Sequence, residues 1–127
     1  MLLLLVITID FGRLFATYVA VNNAAREGAA YASIHATYIT STDNADPDNA
    51  TYRARLEVHN PTDAGFGALT VSAPVCTPAP CPTVIGTGGG TAIKITAQTT
   101  FTFFTPIMSA ILGSGLQLVA SATAVIL

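Results

Sequence analysis

The chain has 127 residues, enough for one domain and an additional element. Only 9% of them are charged and mean hydropathy is +0.57, which is not the make-up of a freely soluble domain and points to a membrane or a self-burying assembly. Net charge is −2 with no basic patch, which speaks against nucleic acid as a partner.

The first element is a long helix. Ile9 to Ser33, IDFGRLFATYVAVNNAAREGAAYAS, contains no proline and is rich in helix-favouring alanine, leucine and arginine. The opening run MLLLLVITI is too short to span a bilayer, which takes about 20 residues. No positive segment precedes it, so it is not an intact signal peptide. Either a leader has been removed, or the apolar run continues past Asp10 and Arg13 into LFATYVAV. An uninterrupted helix from Met1 to about Thr40 is roughly 60 Å long, twice the hydrocarbon thickness. The first half then suits a bilayer. The second half must stand outside and pack on a small domain through Val21, Tyr31, Ile34 and Tyr38.

Two features of this helix bear on partners. Every fourth residue from Gly12 to Ala36 is small (Gly12, Ala16, Ala20, Ala24, Gly28, Ala32, Ala36), a ridge that lets a second backbone approach closely. An alanine-rich helix also carries such a row by accident. The polar residues are scattered, with Asp10, Arg13 and Thr17 on one side and Asn22, Arg26 and Ser33 nearly opposite, so no solvent-facing stripe remains. Asp10 and Arg13 are costly in hydrocarbon unless paired. They either meet a partner chain or form an i, i+3 pair at the membrane–water boundary.

Beyond the helix, STDNADPDN (41–49) punctuates the chain. Asp46 before Pro47 predicts a short second helix over about 47–59, with Tyr52 and Leu56 on one face and Asn60-Pro61 as its stop. Asn49-Ala50-Thr51 matches the N-glycosylation acceptor pattern. Arg53, Arg55 and Glu57 read as a solvated helix face. Asp43, Asp46 and Asp48 read as a helix-capping loop, with a calcium site as the costlier alternative.

From Gly65 the periodicity changes to two. Three strands are predicted, over about 67–75, 92–104 and 116–127. Their apolar faces are Leu69, Val71, Ala73 and Val75; Ile93, Ile95, Ala97, Phe101 and Phe103; and Leu116, Leu118, Ala120, Ala122 and Ala124. They form a half-buried antiparallel sheet whose natural cover is the outer half of the long helix. The Pro- and Gly-rich stretch from Cys76 to Thr91 is an exposed loop. Cys76 and Cys81 in CTPAPC either close a small disulfide, which fits an oxidising compartment, or stay free thiols. Thr105 and Pro106 cap a short helix, Pro106 to Leu112, that ends at Gly113.

No catalytic constellation, metal set or cofactor motif emerges. His35 and His59 stand apart, and GTGGGT (86–91) lacks the lysine of a phosphate loop.

The segments Asp10-Phe11-Gly12-Arg13 and Asn23-Ala24-Ala25-Arg26-Glu27-Gly28-Ala29 resemble the TadE-like family of pilins and pseudopilins of tight-adherence (Tad) pilus systems. The far end, ITAQTTFTFFTPIMSAILGSGLQLVASATA (95–124), is similar to that family's closing strand, Pro-containing short helix and S-A-T-A strand. The resemblance implies a chain made with a leader, cleaved by a prepilin peptidase, held in the inner membrane by its N-terminal helix and passed to a Tad secretion platform. It departs from type IV pilins in one respect: they commonly carry glutamate at mature position 5, and Leu5 stands here.

The expected architecture is α+β and type IV pilin-like: a helix over 1–40 that is membrane anchor before assembly and filament core after it, and a small head over 41–127. In a helical polymer of identical copies, the expected subunit contacts are Leu4, Leu5, Asp10, Phe11, Gly12, Arg13, Phe15, Ala16, Ala20, Ala24, Arg26, Glu27 and Gly28. Asp10 and Arg13 are expected to make charge pairs in that core, within or between subunits. The alternatives are a minor pseudopilin that never polymerises and a membrane-anchored binding module.

Overall fold

The structure is a computed structural model and describes residues 1–35, 49–58, 69–82 and 89–127. Helix α1 (Leu2–Ile34) is followed by α2 (Ala50–Leu56), β1 (Thr70–Val71), β2 (Val75–Thr77), β3 (Ala92–Phe101), α3 (Pro106–Leu112) and β4 (Leu116–Val125). The long apolar helix lies on a small antiparallel sheet, so the architecture is α+β and pilin-like. The continuation of the first helix to Thr40, the punctuating stretch 41–48, the acidic triplet, His59 and Asn60-Pro61 lie outside the described residues.

The centre of the sheet is β3. It pairs with β4 along its whole length, from Ala92↔Val125 to Phe101↔Leu116. Alternation puts Ile93, Ile95, Ala97 and Phe101 of β3 and Leu118 and Ala120 of β4 inside, while Lys94, Thr100, Gln117 and Ser121 face outward. The other edge of β3 is shared: β1 pairs at Val71↔Ala97 and β2 at Val75↔Lys94.

Those two registers differ by one residue. Ser72, Ala73 and Pro74 stand opposite only Ile95 and Thr96, and Pro74 has no N–H to donate to a ladder. One extra residue reverses which side chains face inward. Leu69 and Val71 are therefore buried, Ala73 and Val75 are exposed, and Cys76 turns into the core. This corrects the expectation that Ala73 and Val75 continue the apolar face.

The core is built from small residues on the helix side. Val21, Ala24, Ala25, Gly28, Ala29 and Ala32 of α1 are buried against the sheet and α2. At Gly28 a side chain has no room: an added Cβ would stand 3.0 Å from Ala54 Cβ, 3.3 Å from the Ala50 carbonyl oxygen and 3.3 Å from Ile95 Cδ1. The sequence places glycine where α2 crosses α1.

Helix α2 is anchored at both ends. Asn49 is its N-cap, and its Oδ1 accepts from the Thr51 N–H and hydroxyl, both at 2.9 Å. Arg55 donates through Nε to the Leu69 carbonyl at 3.1 Å, which ties α2 to the strand after it. Arg55 is thus half-buried rather than part of a solvated face. Cys76 and Cys81 are joined in a disulfide, with Cα atoms 5.1 Å apart.

Candidate functional site

The inner half of α1 is the part of the molecule whose chemistry calls for explanation. Leu2–Ile34 is long and apolar enough to cross a membrane. Its polar side chains satisfy themselves locally: Thr8 Oγ1 donates to the Leu4 carbonyl, Thr17 Oγ1 to the Arg13 carbonyl and Asn22 Nδ2 to the Tyr18 carbonyl, each at 2.8 Å. Leu4, Leu5, Phe11, Phe15 and Tyr18 are all exposed, Phe15 by 69%.

One residue of this half is fully enclosed. Asp10 is 0% exposed and meets the start of α3, more than ninety positions along the chain. Its Oδ1 accepts from the Phe104 N–H at 3.2 Å and its Oδ2 from the Thr105 N–H at 2.9 Å. The Thr105 hydroxyl also donates to Oδ2. Arg13, one turn on, brings Nη1 to 3.5 Å from Oδ1. The guanidinium then lies over the Phe104 ring at 4.2 Å and near Phe101 at 5.3 Å from its centroid.

The sequence explains why the carboxylate ends up here. Pro106 occupies the first turn of α3 and leaves Thr105 at its N-cap in extended conformation (φ −79°, ψ 120°). In an isolated helix Thr105 would cap with its own hydroxyl. Here that hydroxyl is turned to Asp10, which also accepts from the two backbone N–H groups leading into the helix. A carboxylate at a helix start is favourably placed by charge as well as by hydrogen bonding. Gly113, at φ +88°, ends the helix as the sequence predicted.

Asp10 therefore joins the two stretches that the motif reading singled out, DFGR and the Pro-containing closing segment. They form one unit. From the sequence alone Asp10 is expected in a charge pair, which Arg13 supplies, and Thr105 only as a cap. The available signal was helical phase: Asp10 and Gly28 are 18 residues apart, five full turns, so Asp10 shares the face that carries Val21 and Gly28 to the sheet.

The other expected contact residues divide between two environments. Ala24 and Gly28 are buried against this chain's own sheet and α2, and Ala20 is half-buried. Gly12, Ala16, Arg26 and Glu27 are exposed along with Leu4, Leu5, Phe11 and Phe15, and Arg13 keeps 42% of its side chain exposed. An open apolar groove of about 260 Å³ runs between Phe11, Leu14, Phe15 and Tyr18 of α1 and Leu116 and Leu118 of β4. Asn49, in the glycosylation pattern, is 1% exposed and occupied as a cap. His35 stacks on Tyr31 at 4.2 Å between ring centroids and reaches the Tyr31 carbonyl through Nδ1 at 3.2 Å.

No curated protein and no solved structure matches the chain. The family model described as TadE-like protein matches residues 1–30, a span that holds DFGR, Asn23 to Ala29 and the Asp10–Arg13 pair but stops short of the closing segment. The N-terminal part of this chain, with the carboxylate that binds α3, is thus similar to TadE-like proteins.

Proposed function

We propose that this chain is a pilin-like structural subunit of a Tad-type pilus, a surface filament for adhesion, assembled from many copies through the inner half of α1. The observation that carries this reading is the exposed apolar surface around that half, Leu4, Leu5, Phe11 and Phe15, on a helix whose outer half packs one face against its own head. Lipid covers such a surface before assembly, and neighbouring helices cover it afterwards. At about 25 cal/mol per Å², even 1,000 Å² of apolar contact per subunit is on the order of 25 kcal/mol before entropic costs.

Contact residues in this reading are the exposed members of the helix: Leu4, Leu5, Phe11, Gly12, Phe15 and Ala16, with Arg26 and Glu27 higher up. Gly12 has nothing within 4 Å of a would-be Cβ, so a neighbouring backbone finds a shallow seat there. Asp10 contributes by holding the head in a fixed pose on the helix. Similarity to TadE-like proteins over residues 1–30 supports the assignment of partners: a Tad secretion platform, a prepilin peptidase and the inner membrane before polymerisation.

The test is electron microscopy with mass spectrometry on material sheared from native cells, for wild type and Phe15→Ser. The expected result is thin filaments in which this chain dominates, and a Phe15→Ser strain that keeps its membrane pool and loses the sheared pool. Filaments that form without this chain, while it stays in the membrane fraction, would overturn the major-subunit reading in favour of a minor pseudopilin or anchored module.

A further inference from the structure

We infer that α3, together with Phe104, lies in the headgroup region of the membrane that receives the start of α1, so that the bilayer boundary on this chain falls at Asp10 and Arg13. This rests on the reading that the inner half of α1 enters a membrane. It adds a second membrane-contacting element, from the far end of the chain.

The composition of the closing segment is the first observation. From Ile95 to Leu127 no residue is charged. Helix α3 has no buried residue, yet its sequence is PIMSAIL, with Ile107, Ile111 and Leu112 exposed by 44%, 73% and 49%. Phe104 just before it is 74% exposed. A helix with no fully buried residue that exposes Ile107, Ile111 and Leu112 is matched to an apolar medium.

Geometry identifies the medium. Asp10 accepts hydrogen bonds from Phe104 and Thr105, so α3 must sit at the level of Asp10 on α1. If that level were deep in hydrocarbon, the irregular backbone of Gly113–Gly115 and the outward polar side chains of Thr100 and Gln117 would be drawn in. If it were far out in water, Phe11, Phe15, Tyr18, Phe104 and Ile111 would all be apolar side chains left wet. The interface suits both sets. Aromatic residues collect there, and an arginine there keeps its stem on apolar surface with its charge toward water. Arg13, stacked on Phe104 and paired with Asp10, has that arrangement. Met1 to Ile9 then project about 13 Å beyond the boundary, into hydrocarbon.

The chain has no tryptophan, so a single introduced one reports its own position. Leu4→Trp, Ile111→Trp and Val75→Trp are each placed in the full chain, at positions exposed by 66%, 73% and 60%. Each is reconstituted in phosphatidylethanolamine/phosphatidylglycerol vesicles containing lipids brominated near the headgroup or deep in the acyl chain. Far-UV circular dichroism checks the fold, and Ile107→Trp serves as a second reporter on α3.

The expected result is that Leu4→Trp loses emission most to deep bromines, Ile111→Trp most to shallow ones, and Val75→Trp to neither. Quenching at Leu4 without quenching at Ile111 or Ile107 overturns the inference and leaves α1 as the sole anchor. Blue-shifted emission at Ile111 that no brominated lipid touches overturns it in favour of a second copy covering α3. Absence of quenching at Leu4 overturns the anchor reading itself, and the placement of α3 with it.

Discussion

The two halves of α1 carry one continuous row of small residues and meet opposite surroundings. Both carry small residues at every fourth position, both lack a polar stripe, and both are helical without a break. Yet Ala24, Gly28 and Ala32 are packed under a sheet and a second helix, whereas Gly12 and Ala16 face outward. The reason is helical drift. A row of i, i+4 positions turns about 40° per step, so Gly12 and Gly28, four steps apart, point in nearly opposite directions. One sequence ridge therefore faces two ways: its upper part seats the chain's own α2, and its lower part is open in this fold. Small size alone does not say which.

The sharpest way to break this contrast is Gly28→Val. Its Cβ would meet Ala54 Cβ and the Ala50 carbonyl, atoms fixed by the α2 backbone, while Ile95 Cδ1 has a rotamer to move. Overpacking of this kind costs about 1–3 kcal/mol, and the gain from replacing a helical glycine offsets only a few tenths of it. Thermal unfolding followed by circular dichroism in detergent should fall accordingly, with α2 losing protection first. An unchanged melting profile would mean that α2 does not press on α1 here.

Much of this arrangement was open to sequence reasoning because it is local. The alternation of β3 and β4 and the bounds of α3 between Pro106 and Gly113 follow from neighbours a few residues apart, and of the two states open to Cys76 and Cys81 the structure has the disulfide. Two features were not, and both depend on register or distance. The inward turn of Cys76 depends on the extra residue at Ser72–Pro74, which is visible only once both partners on β3 are known. The destination of Asp10 depends on a hydroxyl and two N–H groups near position 105, and nothing adjacent to Asp10 announces them. The i, i+3 pairing with Arg13 is readable from spacing alone, whereas the contacts to Phe104 and Thr105 are not.

A smaller test sharpens the buried side of the comparison. Asn49→Ala removes the cap that starts α2 and leaves the Thr51 N–H without its acceptor. Loss of an N-cap costs about 1 kcal/mol. Because α2 covers only the upper part of α1, hydrogen exchange should rise at Ala50–Leu56 and around Gly28 while the amides of Phe104 and Thr105 keep their rates. Equal acceleration at both places would show that the head is a single cooperative block and that α2 and the Asp10 contact are not separable.

The smallest effect on folding should come from Gly12→Val, the counterpart of Gly28→Val on the open side. No atom lies within 4 Å of the added Cβ, and valine is a few tenths of a kcal/mol better than glycine inside a helix. The monomer in detergent should therefore melt at the same temperature or slightly higher. Assembly is a different matter if a neighbouring backbone uses Gly12 as its seat: a branched side chain holds two helices apart and should lower the yield of sheared filament without touching the fold. A variant that melts normally and assembles normally would remove Gly12 from the contact surface, leaving Leu4, Leu5, Phe11 and Phe15 to carry it. A variant that loses stability would mean that the inner half of α1 is already packed within the isolated chain, and the contrast between the two halves would fail.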